Sequence, residues 1–240
     1  MQSTAYVRRD TERGHANHGW LDTRHTFSFG NYYDPEHMGF SQLRVINEDR
    51  VEPGQGFGTH GHRDMEIITY VLEGELEHRD SLGNGSVIVP GEVQRMSAGT
   101  GIKHSEFNPS KTDPVRFLQI WFEPEETDVE PSYEQRRFDP ERSRNRLGLL
   151  VSKDGRDKSL GIHQDVDVYA VALSDATLTH DVSRGRSAWI QLVGGKATVN
   201  DEVLESGDGI GLSKSDADRT VALATSENAH ILIFDMGPHS

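Results

Sequence analysis

Two short patterns within residues 54–108 constrain the fold more than any other feature of the sequence. The first places His60 and His62 on either side of one glycine, and the second places His104 and Glu106 on either side of one serine. Alternate residues of a β-strand project to the same face, so each pattern can direct both of its side chains into one interior. If both strands belong to one barrel, four donors can converge on a single metal ion.

The sequence around these patterns predicts short strands separated by tight turns. Residues 67–72 are rich in β-branched and aromatic side chains and precede Gly74, and residues 86–89 precede Pro90 and Gly91. Residues 40–47 and 115–122 are predicted as further strands that complete the barrel. The 24 glycines of this 240-residue chain suit an all-β protein with many turns.

Composition limits the chemistry and the partners of the chain. It contains no cysteine, so any metal must be bound by nitrogen and oxygen, and a disulfide scaffold is excluded. The net charge of −14 argues against direct nucleic-acid binding, which requires a basic surface. The first 20 residues carry charges throughout and no apolar run, and no later segment resembles a membrane span. We therefore expect a cytoplasmic protein without membrane contact.

Three longer segments carry a resemblance to a known family. They read GHANHGWLDTRHTFSF, HGHRDMEIITYVLEGELEHRDSLGN and PGEVQRMSAGTGIKHSE. This wording resembles the pirin family of the cupin superfamily, specifically its short bacterial members described as quercetinases, and the similarity covers nearly the whole chain. The resemblance implies an all-β bicupin fold of two antiparallel, jelly-roll-like barrels. It also implies one metal ion, in the N-terminal barrel only, bound by the residues that match His60, His62, His104 and Glu106.

The carboxylate ligand has two candidates. Many cupins take it from the first motif, where Glu66 occupies the corresponding place and shares the strand parity of His60 and His62. The pirin pattern instead uses the carboxylate two residues after the last histidine, which is Glu106. We therefore predict Glu106 as the ligand and Glu66 as a residue behind the ligands or at the barrel mouth.

The second half of the chain repeats the first in outline. Residues 192–197 resemble residues 71–76, and residues 206–208 resemble residues 90–92, which suggests a duplicated barrel. We predict an N-terminal domain over 1–135, a C-terminal domain over 136–240, and an acidic, proline-containing linker over 123–131. No paired histidines occur near the corresponding position of the second barrel, so it is predicted to lack a metal, with His163 and His180 in structural roles.

Residues 14–33 are dense in histidine and aromatic side chains. They could form a second metal cluster or a surface for stacking a ligand, but their spacing is irregular and no carboxylate accompanies them at ligand spacing. We favour an arm that covers the barrel. Tyr70, Met96 and Phe57 are candidates for the lining of the barrel mouth, which could accept flat aromatic compounds.

Three imidazoles and one carboxylate suit one divalent transition metal. Fe(II) is our preferred ion, with Zn, Mn, Co, Ni and Cu as alternatives, because this donor set does not select among them. Four protein ligands leave open positions for a substrate or dioxygen, whereas a structural zinc site is usually closed.

The resemblance implies a quercetin 2,3-dioxygenase, which opens a flavonol ring with dioxygen and releases carbon monoxide. In this interpretation Glu106 is both ligand and catalytic base for the substrate hydroxyl group. Two alternatives remain at this stage. One is a metal-binding regulatory pirin that acts through a protein partner and has no enzymatic activity. The other is a cupin dioxygenase for a different aromatic metabolite.

Overall fold

The computed structural model describes residues 6–238, which form nineteen strands and three short 3-10 helices. The helices span Asp10–Glu12, Pro140–Arg142 and Arg156–Lys158. In chain order the strands are β1 (Tyr6–Arg8), β2 (Gly14–Asn17), β3 (Leu21–His25), β4 (Leu43–Val51), β5 (Gly56–His62), β6 (Glu66–Glu73), β7 (Leu76–Asp80), β8 (Gly85–Ile88), β9 (Glu92–Ser97), β10 (Ile102–Phe107), β11 (Val115–Phe122), β12 (Ser132–Arg137), β13 (Gly148–Ser152), β14 (Leu160–Gly161), β15 (Val166–Val182), β16 (Ser187–Val199), β17 (Glu202–Glu205), β18 (Gly209–Leu212) and β19 (Arg219–Met236).

The chain divides into two compact units. Among the described residues, the N-terminal unit contains Gly14–Phe138 and Ile162–Gln164, and the C-terminal unit contains residues 6–13, Asp139–Gly161 and residues 165–238. In the described part of the chain, no helix is long and apolar enough to cross a membrane.

The N-terminal unit is built from two antiparallel sheets. The larger has seven strands in the order β12-β9-β6-β11-β4-β3-β2, and the smaller has four in the order β5-β10-β7-β8. A buried aliphatic and aromatic cluster joins them, because it contains Val71 and Phe117 from the larger sheet and Leu76 and Ile88 from the smaller one. The alternation of apolar residues along these strands supplies this shared core.

The C-terminal unit contains one eight-stranded sheet in the order β1-β18-β16-β19-β15-β13-β14, with β17 paired to β16. Its two longest strands, β15 and β19, pair along almost their whole length, with a register shift between Ser174 and Ala176. One apolar cluster includes residues from both ends of these strands, such as Val171 and Val182 of β15 and Leu223 and Ile231 of β19. The sheet therefore curves around a single core.

The boundaries of the two units differ from the predicted domains in three respects. The predicted division between residues 135 and 136 falls inside β12, which pairs with β9 of the N-terminal unit. The segment 123–131, predicted as a linker between domains, also lies within the N-terminal unit. It precedes β12, and the Glu123 amide donates to the Gln42 carbonyl oxygen at 3.0 Å. At the other end, residues before Gly14 belong to the C-terminal unit, since β1 pairs with β18.

The similarity between the two halves extends to backbone conformation. Gly74 and Gly195 have φ values of 75° and 80°, and Gly91 and Gly207 have φ values of 87° and 92°. An added Cβ at Gly74 would lie 2.6 Å from the Pro114 carbonyl oxygen, and one at Gly195 would lie 1.9 Å from the Asn228 carbonyl oxygen. Both positions therefore require glycine for its left-handed conformation and for the close approach of a neighbouring strand.

Candidate metal centre

The four-stranded sheet places the two predicted patterns side by side. Strands β5 and β10 pair antiparallel, with His104 opposite His60 and Ile102 opposite His62. A register shift between His104 and Glu106 places Glu106 opposite Phe57. Strand alternation therefore brings the three histidines to one face of the sheet, as the spacing predicted.

The three histidine rings form a tight group. Their ring centroids lie 4.8 Å apart for His60 and His62, 4.4 Å for His60 and His104, and 4.8 Å for His62 and His104. The Nε2 atoms of His62 and His104 lie 2.9 Å apart. The three residues thus offer nitrogen atoms that are all within 4.8 Å of one another.

These rings are electronically suited to bind a cation. Burial is the main cause that lowers the pKa of His62 to about 4, and the neighbouring His60 is a smaller one. Burial is also the main cause that lowers the pKa of His104 to about 2, and the neighbouring histidines add to it. His60 lies with Nδ1 2.9 Å from the Gly58 carbonyl oxygen, to which this nitrogen can donate while Nε2 keeps its lone pair. Neutral imidazoles with free ring nitrogens are the form that binds metals.

Glu106 lies beside this group and is almost completely buried. Its carboxyl group comes within 4.8 Å of ligand atoms of His104 and His78, in a second group of potential metal ligands. Gln119 Nε2 donates to Glu106 Oε1 at 2.6 Å and orients the carboxyl group. Burial, and then the negative charge of Asp49, raises the pKa of Glu106 to about 8.

The histidines and Glu106 line one cavity of about 280 Å³. Its remaining lining comes from β5 of the same sheet, from the larger sheet and from the loop between β3 and β4: Phe57, Asn47, Asp49, Ile67, Gln119, Trp121 and Phe29. Trp121 packs edge-on against His62 with ring centroids 4.9 Å apart, and Phe29 packs edge-on against Trp121 at 5.3 Å. The cavity therefore combines nitrogen and oxygen donors on one side with aromatic walls on the other.

Glu66, the alternative ligand candidate, does not face this cavity. It begins β6 in the larger sheet, whereas β5 ends at His62 in the smaller one, so the assumed common strand parity was wrong. Its neighbour Ile67 lines the cavity, and Glu66 itself points to the opposite face, where Ser97 Oγ donates to its Oε2 at 2.9 Å. The backbone N–H of His163 donates to the same oxygen at 3.3 Å.

Residues 14–33 contribute more than a covering arm. They contain β2 and β3 of the larger sheet, and several of them line a second cavity of about 450 Å³. That cavity shares Phe29, Asn47, Asp49 and Phe57 with the metal-centre cavity. Of the three residues predicted at the barrel mouth, Phe57 lines both cavities, while Met96 is instead completely buried in an apolar cluster and Tyr70 lines neither.

Several residues of the site were not predicted from the sequence. Asn47, Asp49 and Gln119 lie on β4 and β11, far along the chain from the histidine patterns, and only strand pairing brings them to the cavity. Burial raises the pKa of Asp49 to about 7. A weak signal existed for Gln119, which is a polar position in the largely apolar strand β11, whereas Asp49 lies among several polar residues of β4 and carried none.

The donor set fits a transition metal. Two imidazole nitrogens bound at about 2.1 Å and at right angles to each other lie about 3.0 Å apart. The observed separation of 2.9 Å between the Nε2 atoms of His62 and His104 matches this value. Nitrogen donors with one nearby carboxylate suit first-row divalent ions, and Mg²⁺ and Ca²⁺ prefer oxygen-only sites.

Two antiparallel β-units, one of which carries three clustered histidines and a carboxylate, define a two-domain metal-binding cupin. Comparison with known proteins agrees with this class. The family model described as Pirin matches residues 6–122, and the model described as Quercetinase C-terminal cupin domain matches residues 149–236. The chain belongs to the pirin family.

Relatives of known structure or name resemble the chain along its full length. A protein of Escherichia coli K12 named quercetin 2,3-dioxygenase is 51% identical over 234 residues, which is 97% of this chain and 99% of that protein. The solved structure of the bacterial pirin YhhW from Escherichia coli in complex with nickel(II) is 50% identical, with a TM-score of 0.92, and covers 98% of this chain and 100% of its own. The structure of YhaK from Escherichia coli is 28% identical, with a TM-score of 0.72, and covers 93% of this chain and 98% of its own.

Proposed function

We propose that this chain is a metal-dependent dioxygenase that cleaves flavonols such as quercetin with release of carbon monoxide. In this proposal His60, His62, His104 and Glu106 bind one divalent transition metal, with Fe(II) preferred. The observation that carries the proposal is the cavity of about 280 Å³, in which three imidazoles and a buried carboxyl group face aromatic walls. The 51% identical relative named quercetin 2,3-dioxygenase supports the choice of substrate.

The aromatic walls suit a flat, oxygenated ring system. Phe29, Phe57 and Trp121 provide apolar surfaces against which such a molecule can pack and from which water is excluded. Asn47 and Asp49 supply polar groups in the same walls, where they can form hydrogen bonds with the substrate hydroxyls. The adjoining cavity of about 450 Å³ gives a larger substrate room to extend beyond the donors.

Glu106 is the proposed catalytic base. Its carboxyl group lies in the cavity wall beside His104, so it can accept a proton from a substrate hydroxyl group that enters the site. Gln119 Nε2 holds Oε1 at 2.6 Å and thereby limits the orientations of the carboxyl group. A bound divalent ion would supply Lewis acidity that lowers the pKa of the substrate hydroxyl.

The proposal is tested by turnover of quercetin. Apoprotein is reconstituted separately with Fe(II), Mn(II), Co(II), Ni(II), Cu(II) and Zn(II), and oxygen-dependent loss of the quercetin visible band is followed together with carbon monoxide. We expect turnover with one or more metals. His62→Ala and Glu106→Gln are expected to lose at least 100-fold in rate, on the order of what removal of a catalytic group costs.

The matched control is His37→Ala, which removes a histidine outside the metal centre. His37 lies near Asp34, with 3.7 Å between His37 Nε2 and Asp34 Oδ2. Its variant should retain the wild-type rate. Folded, metal-loaded wild-type protein that neither consumes quercetin nor releases carbon monoxide would contradict the proposal. That result would favour a regulatory protein or a dioxygenase for another aromatic metabolite.

A further inference from the structure

A chain of three buried side chains runs from the candidate metal centre into the four-stranded sheet. His104 Nδ1 lies 3.4 Å from His78 Nδ1, and His78 Nε2 lies 3.1 Å from Asp80 Oδ2. The side chains of His78 and Asp80 are both 0% exposed. Strand pairing fixes this arrangement, because β7 places Asp80 opposite His104 and His78 opposite Glu106 on β10.

We propose that Asp80 and His78 are positioning residues that fix the tautomer and orientation of His104, so that its Nε2 atom faces the metal. This inference rests on the proposed role of His104 as a ligand. It assigns a function to two residues outside the predicted ligand set. Partners of this kind, behind the ligating histidines, typically contribute 10- to 100-fold to metal affinity.

The proton positions follow from the groups around Asp80. The backbone N–H groups of Leu82 and Asn84 donate to Asp80 Oδ1 at 2.9 and 3.0 Å, and Asn84 Nδ2 donates to Oδ2 at 2.9 Å. Although burial opposes ionisation, hydrogen bonds from Asn84, His78 and the turn backbone hold the pKa of Asp80 below its ordinary value. An ionised carboxylate can only accept, so His78 Nε2 must carry a proton and donate to it.

The second ring nitrogen of His78 then determines the state of His104. Gln94 Nε2, which can only donate, lies 3.5 Å from His78 Nδ1, so this nitrogen is an acceptor and carries a lone pair. Facing this acceptor at 3.4 Å, His104 Nδ1 must carry a proton. The lone pair of His104 is thereby left on Nε2, the atom that lies 2.9 Å from His62 Nε2.

Packing keeps the His78 ring in place. It stacks on Tyr133 with ring centroids 4.7 Å apart and an interplanar angle of 26°. The Tyr133 hydroxyl donates to Gln135 Oε1 at 2.8 Å, which anchors the stacking partner within β12. Gln94 Nε2 also approaches His78 Nδ1 at 3.5 Å, as a second donor toward the same acceptor atom.

The central test is Asp80→Asn, which changes the charge and one hydrogen-bonding atom but not the size of the side chain. The two backbone N–H groups require oxygen at the Oδ1 position, so the amide nitrogen of the variant must face His78. His78 Nε2 would then accept a hydrogen bond from this amide, so the ring proton of His78 would move to Nδ1. The Nδ1–H group of His78 would face the Nδ1–H group of His104, and neither could accept from the other. We expect the affinity for Zn(II) to fall 10- to 100-fold.

The matched control is Glu77→Gln, which makes the same acid-to-amide change on β7 at a carboxylate that pairs with Arg79 instead of His78. We expect this variant to keep Zn(II) affinity within about threefold of the wild type. Affinities are measured by chelator competition with Zn(II) alone. His78→Phe provides a second variant, since it removes the acceptor and retains an aromatic ring against Tyr133, and we expect a similar loss of affinity.

Long-range ¹H–¹⁵N NMR of the ring nitrogens gives a readout that a purely structural role would not change. We expect His78 to be protonated on Nε2 in metal-free wild type and on Nδ1 in Asp80→Asn, and His104 to be protonated on Nδ1 in Zn(II)-loaded wild type. A wild-type His78 protonated on Nδ1 would overturn the inference.

Other outcomes separate this inference from the proposal on which it rests. If wild type binds one Zn(II) and neither variant changes the affinity, the positioning role is wrong and the metal site stands. If two Zn(II) ions bind and His78 loses both ring protons, His78 is itself a ligand and the positioning role is again wrong. Wild-type protein that binds no metal would overturn the metal site and the inference together.

Discussion

Metal binding to this chain should release a proton from Glu106. In the metal-free protein, burial and the charge of Asp49 raise the pKa of this carboxyl group to about 8. At pH 7 only about one tenth of the Glu106 side chains would then be ionised. A metal ion binds the carboxylate form, so it must displace the proton from the remaining nine tenths.

The size of the effect follows from the same pKa values. Burial keeps His62 and His104 neutral, with pKa values of about 4 and about 2, so these two proposed ligands should release no proton near pH 7. Glu106 should release about 0.9 proton per metal ion at pH 7 and about 0.1 at pH 9. The apparent Kd for the metal should accordingly fall about tenfold from pH 7 to pH 9, with most of the change below pH 8.

Titration calorimetry in two buffers of different ionisation enthalpy measures the number of protons released. In Glu106→Gln at pH 7 we expect the release to fall by about 0.9 proton per ion. The control is Glu66→Gln, which alters another buried carboxyl group whose hydrogen bonds lie away from the cavity. Its proton release should match the wild type. A Glu106→Gln protein that still released as many protons as the wild type would refute this reasoning.

Three further predictions concern support of the site and of the two units. Gln119→Leu removes the donor to Glu106, and we expect about tenfold weaker metal binding in the same titration, because a hydrogen bond to a charged group contributes about 1.5–3 kcal/mol. Asp235→Asn weakens its pairing with His180 and Arg186 and should lower the free energy of unfolding by about 3 kcal/mol in urea at pH 7. Burial opposes ionisation of Asp235, but hydrogen bonds and charges of these partners outweigh it and lower the pKa of Asp235. The stability difference between wild type and Asp235→Asn should therefore shrink below about pH 4, as the wild-type carboxylate becomes protonated. A stability difference that stayed constant with pH would contradict this prediction. Gly74→Ala should lower the free energy of unfolding by about 1–2 kcal/mol more than Gly83→Ala. Both glycines have positive φ, but only at Gly74 does a carbonyl oxygen lie 2.6 Å from the added Cβ. Equal losses in the two variants would show that this steric contact contributes nothing.

The sequence could predict each pair of ligand candidates because the geometry within a pair is local. Two residues on either side of a glycine or serine share a face of a strand whatever the rest of the fold does. The spacing therefore predicted that His60 and His62 share a face, whereas the approach of His104 also requires the pairing of β5 with β10, and the structure places the three ring centroids within 4.8 Å. Strand positions were predicted for the same reason, and residues 115–122 coincide with β11.

The rest of the cavity could not be predicted in this way. Glu66 shares the parity of His60 only if one strand continues through both, but Asp64 has a φ of 46° and the chain passes there from one sheet to the other. Asp49 and Gln119 reach the cavity through the pairing of β4 with β11, which no local pattern specifies. Asp49 and Gln119 belong to no local pattern and were missed, whereas the members of the two alternating patterns were found.

The two units share turns but differ in what fills their interiors. Gly91 and Gly207 both lie in turns with positive φ, yet at the sequence offset between Gly74 and Gly195 the residues that correspond to His60 and His62 are Asp181 and Ser183. Asp181 accepts a hydrogen bond from Thr220 Oγ1 at 2.7 Å on the paired strand. The interior of that unit is occupied by a continuous aliphatic cluster.

This difference has an energetic reason. An aliphatic interior stabilises a barrel directly, whereas buried imidazoles and carboxyl groups destabilise it unless each polar atom has a partner. In the N-terminal unit those partners are supplied by Gly58, His78 and Gln119 around the histidine cluster and Glu106. The second unit can therefore share the glycine turns of the first without sharing its metal centre. The turns depend on single glycines, whereas the metal centre also depends on the hydrogen bonds that surround its polar side chains.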